Sequence, residues 1–301
     1  MFYLVSNNLK LPYWQTAAEG FNKAAEEYHV QAKVVGPDTY DPQAELTALQ
    51  QAIAAKPSGI LISVADASMF QSEINAGIDA GVPIITIDSD APHSHRLFFI
   101  GTNNLEAGRL GGQRLVQELP GGKGNVVFFS MPGQPNLDER FKGYQDVLAD
   151  HPGIKTVEVV DIKGVSTAAF DKAQQYMKET GEKKIDAFVC LEASAGKDVA
   201  SVLKNANATD RVLIAMDVDP DTLNFIKSGY INATIAQKPY TMAYYGLKAL
   251  DQVFHDGPKT FSPDYSVDTF SPFPVFVDTG TAVVDKVNVD LFANSAAQAK
   301  Q

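Results

Sequence analysis

Two apolar runs in this chain each end on a carboxylate. Ile84-Ile85-Thr86-Ile87 is followed by Asp88, and Val212–Met216 is followed by Asp217. Arg140, Glu192 and Gln237 add a guanidinium, a third acid and an amide. Acids accept hydrogen bonds, a guanidinium donates them, and an amide does both. That mixture matches a neutral ligand rich in hydroxyls, each of which donates and accepts at once. Hydrogen bonds to charged groups are worth ~1.5–3 kcal/mol each. Each residue also has a plainer reading, helix N-caps for the two Asp residues and solvated helix faces for Arg140 and Glu192. Taken together, most of them fall at strand ends, where open α/β sheets bind ligands. Paired acids could do acid–base work, but Asp88 and Asp217 belong to different halves of the chain. That suits a clamp better than bond-breaking.

Tyr13-Trp14 opens the first predicted helix. Trp14 alone reads as well as core. Neighbours on a helix sit ~100° apart, so both rings cannot face the core and one faces outward. Flat rings suit the C–H faces of sugars. Other chemical signals are weak. Gly121-Gly122-Lys123-Gly124 precedes a strand, whereas phosphate loops follow one, so it reads as a turn. His93 and His95 have no companion cluster, so no metal is expected. Cys190 ends an apolar strand and reads as an inert buried thiol. No Gly-x-Ser-x-Gly elbow occurs, and neither catalytic residues nor a cofactor are expected.

The elements that must carry these residues alternate regularly. Strands are expected at Phe2–Val5, Gln31–Val35, Gly59–Val64, Ile84–Ile87 and Leu97–Ile100. Helices fill the gaps, starting at Pro12, at Pro42 behind an Asp41 N-cap, and at Ala67. A second series follows: Asn125–Phe129, Thr156–Val160, Ile185–Leu191, Val212–Met216 and Ala233–Ala236, again with helices between, the first spanning Leu137–Ala149 and the second Thr167–Glu179. The class is α/β, two doubly wound parallel-sheet lobes. Gly257–Pro274 reads as loop, Pro274–Val277 and Ala282–Val284 as short strands, and Asn294–Gln301 as a disordered tail. The 301 residues suffice for two domains, and 45% hydrophobic with 20% charged residues is ordinary for a globular chain. A net charge of −11 argues against nucleic acid. One cysteine permits no intrachain disulfide. No apolar run reaches the ~20 residues of a membrane span. Phe2–Val5 already reads as strand, so no signal peptide is expected in this sequence.

Pro12-Tyr13-Trp14, Pro83–Asp88, Glu139-Arg140 with Gly143-Tyr144, Met216-Asp217 and Ala233–Gln237 together resemble the ribose-type periplasmic sugar-binding proteins, solute receptors of ABC importers. The resemblance covers nearly the whole chain. It implies the type I periplasmic-binding fold, with lobes at 1–102 plus 238–278 and at 103–237 plus 279–301. A three-segment hinge would pass near 102, 238 and 278. It implies that Tyr13 and Trp14 stack on a sugar and that Asp88, Arg140, Asp217 and Gln237 bind its hydroxyls. Departures from the ribose pattern are Asn7 for a serine, Leu11 for an asparagine, Ser89 for an arginine and Glu192 for an asparagine. Val165 and Met216 stand where aromatics would. A ligand other than ribose is therefore expected, a monosaccharide or polyol, and Glu192 adds acceptors that an amine-bearing sugar could use. Implied partners are that small neutral ligand and a membrane permease, for a monomer in the periplasm or another extracytoplasmic space. Alternatives of the same fold are a receptor for a furanosyl-type quorum signal and a chemoreceptor-linked sensor. A repressor is disfavoured because no helix-turn-helix precedes Phe2, and an enzyme fits least.

Overall fold

The computed structural model describes residues 1–298, the last five as helical backbone alone. Its elements are β1 (Phe2–Val5), α1 (Pro12–Glu27), β2 (Ala32–Val35), α2 (Pro42–Ala54), β3 (Gly59–Ile62), α3 (Ala67–Asp79), β4 (Ile84–Ile87) and β5 (Phe99–Gly101). Next come α4 (Asn104–Glu118), β6 (Gly124–Ser130), α5 (Pro135–Leu148), β7 (Ile154–Asp161), α6 (Ser166–Tyr176) and β8 (Ala187–Cys190). The chain ends with α7 (Ala195–Asn205), β9 (Val212–Met216), α8 (Pro220–Ser228), β10 (Ala233–Ala236), α9 (Pro239–Asp256), β11 (Phe276–Asp278), β12 (Ala282–Asp285) and α10 (Val289–Gln298).

The chain divides into two compact units. The first holds Met1–Thr102, Gly133–Asn136 and Lys238–Gly280; the second holds Asn103–Pro132, Leu137–Gln237 and the stretch from Thr281 on. The first unit's sheet has the order β11-β5-β4-β3-β1-β2, every pair parallel. Its central strands are buried on both faces, as β-branched runs in a parallel sheet require. Register pairs Val5 with Ile62 and Ile62 with Thr86, so Ser6 and Ser63 emerge side by side at the carboxyl edge, with Asp88 one residue further along its own strand. The second unit repeats this order as β12-β10-β9-β8-β6-β7. β12 is its exception, an antiparallel edge strand beside β10.

Apart from α10, which the sequence reading did not expect, element types agree with the expectation, and a few bounds shift for local reasons. α5 starts at Pro135, before the expected Leu137, because proline suits a first helical turn. α6 stops at Tyr176, short of the expected Glu179, and a short 3₁₀ turn beginning at Gly181 separates it from β8. The expected tail from Asn294 is helical through Gln298; residues 299–301 lie outside the described residues.

Candidate binding site

In the first unit, α1 and the edge after β4 converge on Asp88. This residue is buried and has a φ of 65°, in the left-handed region that Asp tolerates better than most side chains. The turn lifts its carboxylate off the strand. Oδ1 accepts from the Tyr13 hydroxyl at 2.8 Å, and Oδ2 from Ser63 Oγ at 3.1 Å and Asn136 Nδ2 at 3.3 Å. Pro12 occupies the first turn of α1 and brings Tyr13 to the sheet edge. Of the adjacent aromatics, Tyr13 is half-buried and Trp14 is core, its Nε1 donating to Asn7 Oδ1 at 3.0 Å. Their rings meet edge to face, 5.3 Å apart at 83°. Ser89 is buried beside Asp88, its hydroxyl unpartnered among the described residues. A two-pronged ion pair, Arg96 to Asp90 at 2.5 and 2.6 Å, ties down the loop that follows.

In the second unit the same design recurs. Asp217 follows β9 at a φ of 67°, its N–H donating to the Ile235 carbonyl and its own carbonyl accepting from Thr234 Oγ1. Arg140 is 3% exposed and projects from α5 into a fixed set of acceptors. Nε donates to Asn104 Oδ1 at 2.9 Å, Nη1 to the Leu191 carbonyl at 2.9 Å, and Nη2 to Gln237 Oε1 at 2.8 Å. Gln237 Nε2 in turn donates to Asp217 Oδ1 at 3.1 Å. An amide thus links a buried cation to a buried anion, and the chain of bonds fixes the rotamer of each. The helices allow this because glycine lets them touch. A Cβ on Gly108 of α4 would lie 2.0 Å from the Arg140 carbonyl oxygen, and one on Gly143 of α5 would lie 2.2 Å from the Leu105 oxygen.

Glu192 is buried rather than on a solvated helix face. Its oxygens accept from Ser194 N at 2.7 Å, Ser194 Oγ at 2.8 Å and Ala195 N at 2.6 Å, closing the first turn of α7. Burial pushes its carboxyl above the usual range against the pull of those bonds. Its visible work is on the helix end, so the plain capping reading belongs to Glu192. Neither Asp88 nor Asp217 caps a helix: Asp219 caps α8, and no helix starts after Asp88. Cys190 is buried, and desolvation pushes its thiol up, as an inert core cysteine requires.

Ser63, Asn104 and Asn136 bond to candidate site residues, and sequence pattern revealed neither them nor the burial of Glu45. Asn104 hides behind Asn103, which caps α4 through Glu106 N–H. Glu45 stood in plain view, in helical step with Leu49 and Ala52 on the buried stripe of α2. No cluster of metal-ligating residues occurs among the described residues. A cavity of about 580 Å³ lies elsewhere in the first unit, lined by Phe98, Ile100, Val253, Phe273 and Val277, and it includes none of the site residues.

Comparison with known proteins follows the same lines. A family model described as a periplasmic binding protein domain matches residues 2–257. The sugar-binding protein of a sugar ABC transporter from Bacillus halodurans is 32% identical, with TM-score 0.83, over 97% of this chain and 100% of that one. A glucose-galactose binding protein from Geobacillus stearothermophilus is 28% identical, with TM-score 0.85, over 95% and 97%. A xylose/arabinose-binding protein from Sulfolobus acidocaldarius is 23% identical over 84% of this chain, which spans 63% of that relative's length.

Proposed function

Because the chain belongs to the periplasmic binding protein family, we propose that it is an extracytoplasmic receptor for a small neutral sugar or polyol, delivering it to an ABC importer. The observation that carries this reading is the buried Asn104–Arg140–Gln237–Asp217 network, which aims an ordered row of donors and acceptors from one sheet's carboxyl edge. Such a row is too expensive to bury for stability alone, since each charged member gives up water. Asp88 with Tyr13 gives the first unit a matching acceptor and ring. In this reading, hydroxyls donate to Asp88 and Asp217 and accept from Arg140 and Gln237, while Tyr13 lies against a C–H face. Trp14 and Asn7 brace Tyr13 from behind, and Ser89 offers a hydroxyl beside Asp88. Glu192 shapes the site by anchoring α7.

Ligand contacts drawn from both units favour the closed arrangement of a hinge, so differential affinity alone drives closure. The segments near 102, 238 and 278 serve as that hinge, and the receptor works as a monomer that leaves its sugar chemically unchanged. The named relatives are binding proteins for sugars, one of them explicitly of an ABC transporter, which does not favour a signal receptor or a chemoreceptor-linked sensor. The test is a thermal-shift and calorimetry screen of D-ribose, D-xylose, L-arabinose, D-glucose, D-galactose and xylitol. A Kd on the order of 1 μM for at least one, ~−8 kcal/mol, is expected. Failure of all of them to raise the melting temperature overturns the reading.

A further inference from the structure

Glu45 is a buried carboxyl group that the site described so far leaves without work. It is 0% exposed, and among the described residues neither of its oxygens has a partner at full hydrogen-bond geometry, the Ala65 N–H being the nearest backbone donor to act on it. Its place on α2 is set by Leu49 and Ala52, which share its buried stripe, and by the Asp41 cap one turn earlier. The elements packed against α2 are β1, β3 and α3. β1 and β3 carry no charged residue. α3 carries Glu73, bonded to Gln50, and Asp79, paired with His95, and it is capped by Asp66. Asp88, at the end of β4, is the remaining charged group that acts on Glu45. Each of these elements and caps thus presents acids or nothing. Desolvation pushes the Glu45 carboxyl well above the usual range; the nearby Ala65 N–H draws it back, and the Asp88 charge raises it further.

An ionised Glu45 would therefore be a second anion near Asp88, with no cation on the elements around it. Two more buried hydroxyls at this edge, Ser6 Oγ and Ser89 Oγ, are also unpartnered among the described residues. We propose that Glu45 is a positioning residue that stays protonated, so that Asp88 keeps its bonds to Tyr13, Ser63 and Asn136 and meets a sugar hydroxyl as an undisturbed acceptor. This inference rests on the sugar-binding reading of Asp88.

The sign of the pH dependence follows. The unfolded chain loses this proton in the ordinary carboxylate range near pH 4–5, while the folded chain keeps it. The stability it confers is complete below that range and is lost as pH rises toward Glu45's own, higher value. The experiment compares wild type with Glu45→Gln, its neutral isostere, from pH 5 to 9. Melting temperature and the emission of Trp14, the protein's single tryptophan and edge-on to Tyr13, are followed without sugar. Affinity is measured for whichever of D-ribose, D-xylose, L-arabinose, D-glucose or D-galactose gives the largest thermal shift. Glu45→Gln should bind within threefold of wild type at pH 6, and it should lose less melting temperature, emission and affinity toward pH 9. A more than threefold loss of affinity at pH 6, or parallel pH profiles for the two proteins, overturns the inference. Failure of Glu45→Gln to fold overturns it as well, because a neutral amide of the same size should replace a neutral carboxyl. If none of the sugars binds, the receptor reading fails, while the sugar-free profiles still decide whether Glu45 is the neutral group beside Asp88.

Discussion

Arg140 illustrates how its surroundings fix one side chain. A guanidinium has five donors in a fixed fork, and here Asn104, the Leu191 carbonyl and Gln237 engage all three of its nitrogens. Those bonds lock the fork in place before any ligand arrives, so ordering it costs nothing at the moment of binding. Arg140→Ala strands Gln237 and Asp217 without their buried cation. We expect a loss of ~2–5 kcal/mol in sugar affinity, at least thirtyfold in Kd by calorimetry, and disappearance of the sugar-induced thermal shift. Arg140→Lys should not restore it, because an ammonium cannot span three acceptors. An Ala variant that binds within threefold of wild type would remove Arg140 from the site. Asp88 is constrained differently, by backbone as well as charge. At a φ of 65° Asn is the replacement that keeps the turn, so Asn isolates the charge whereas Ala also adds strain.

At the scale of elements, the positions of α4 and α5 decide where Arg140 points. Their contact depends on Gly108, where an added Cβ would meet backbone rather than a yielding side chain. Gly108→Ala must push α5 off α4. Overpacking of this kind costs ~1–3 kcal/mol, which urea unfolding would register. Sugar affinity should fall as well, although no ligand atom is touched, because Arg140 moves with its helix. A variant that loses stability but keeps full affinity would show that the helix contact does not aim the guanidinium. The strands contribute otherwise: β4 and β9 are short, apolar and parallel-paired, so each stops with its Asp at the carboxyl edge. Both residues then turn into the left-handed region, the same solution in two units built on the same strand order.

At the scale of the whole molecule, the proposed closure over a sugar predicts a conformational readout. Saturation with the sugar found in the screen should reduce the radius of gyration in small-angle scattering, and Asp88→Asn and Arg140→Ala should each abolish the change. A tight complex with no compaction would rule out closure as the binding mechanism while leaving the site intact. A net charge of −11 opposes self-association and repels anionic surfaces.

The alternation of β-branched runs with amphipathic helices determined by itself that this chain is α/β, because those two periodicities can bury their apolar residues only as sheets covered by helices. Asp88, Asp217, Arg140 and Gln237 stood out in the sequence as candidates, and the structure buries all four. What remained hidden was pairwise. That Trp14 spends its N–H on Asn7, that Glu192 closes the α7 turn, and that Asn104 rather than a ligand alone orients Arg140 depends on residues 7, 2–3 and 36 positions apart in the chain. Glu45 is the clearest case: residue type and helical spacing disagreed, and only the packed surroundings decide that a carboxyl on a core stripe must give up its charge. Local pattern fixes which residues are buried, whereas hydrogen-bond partners and protonation follow from distances that exist only after the chain has folded.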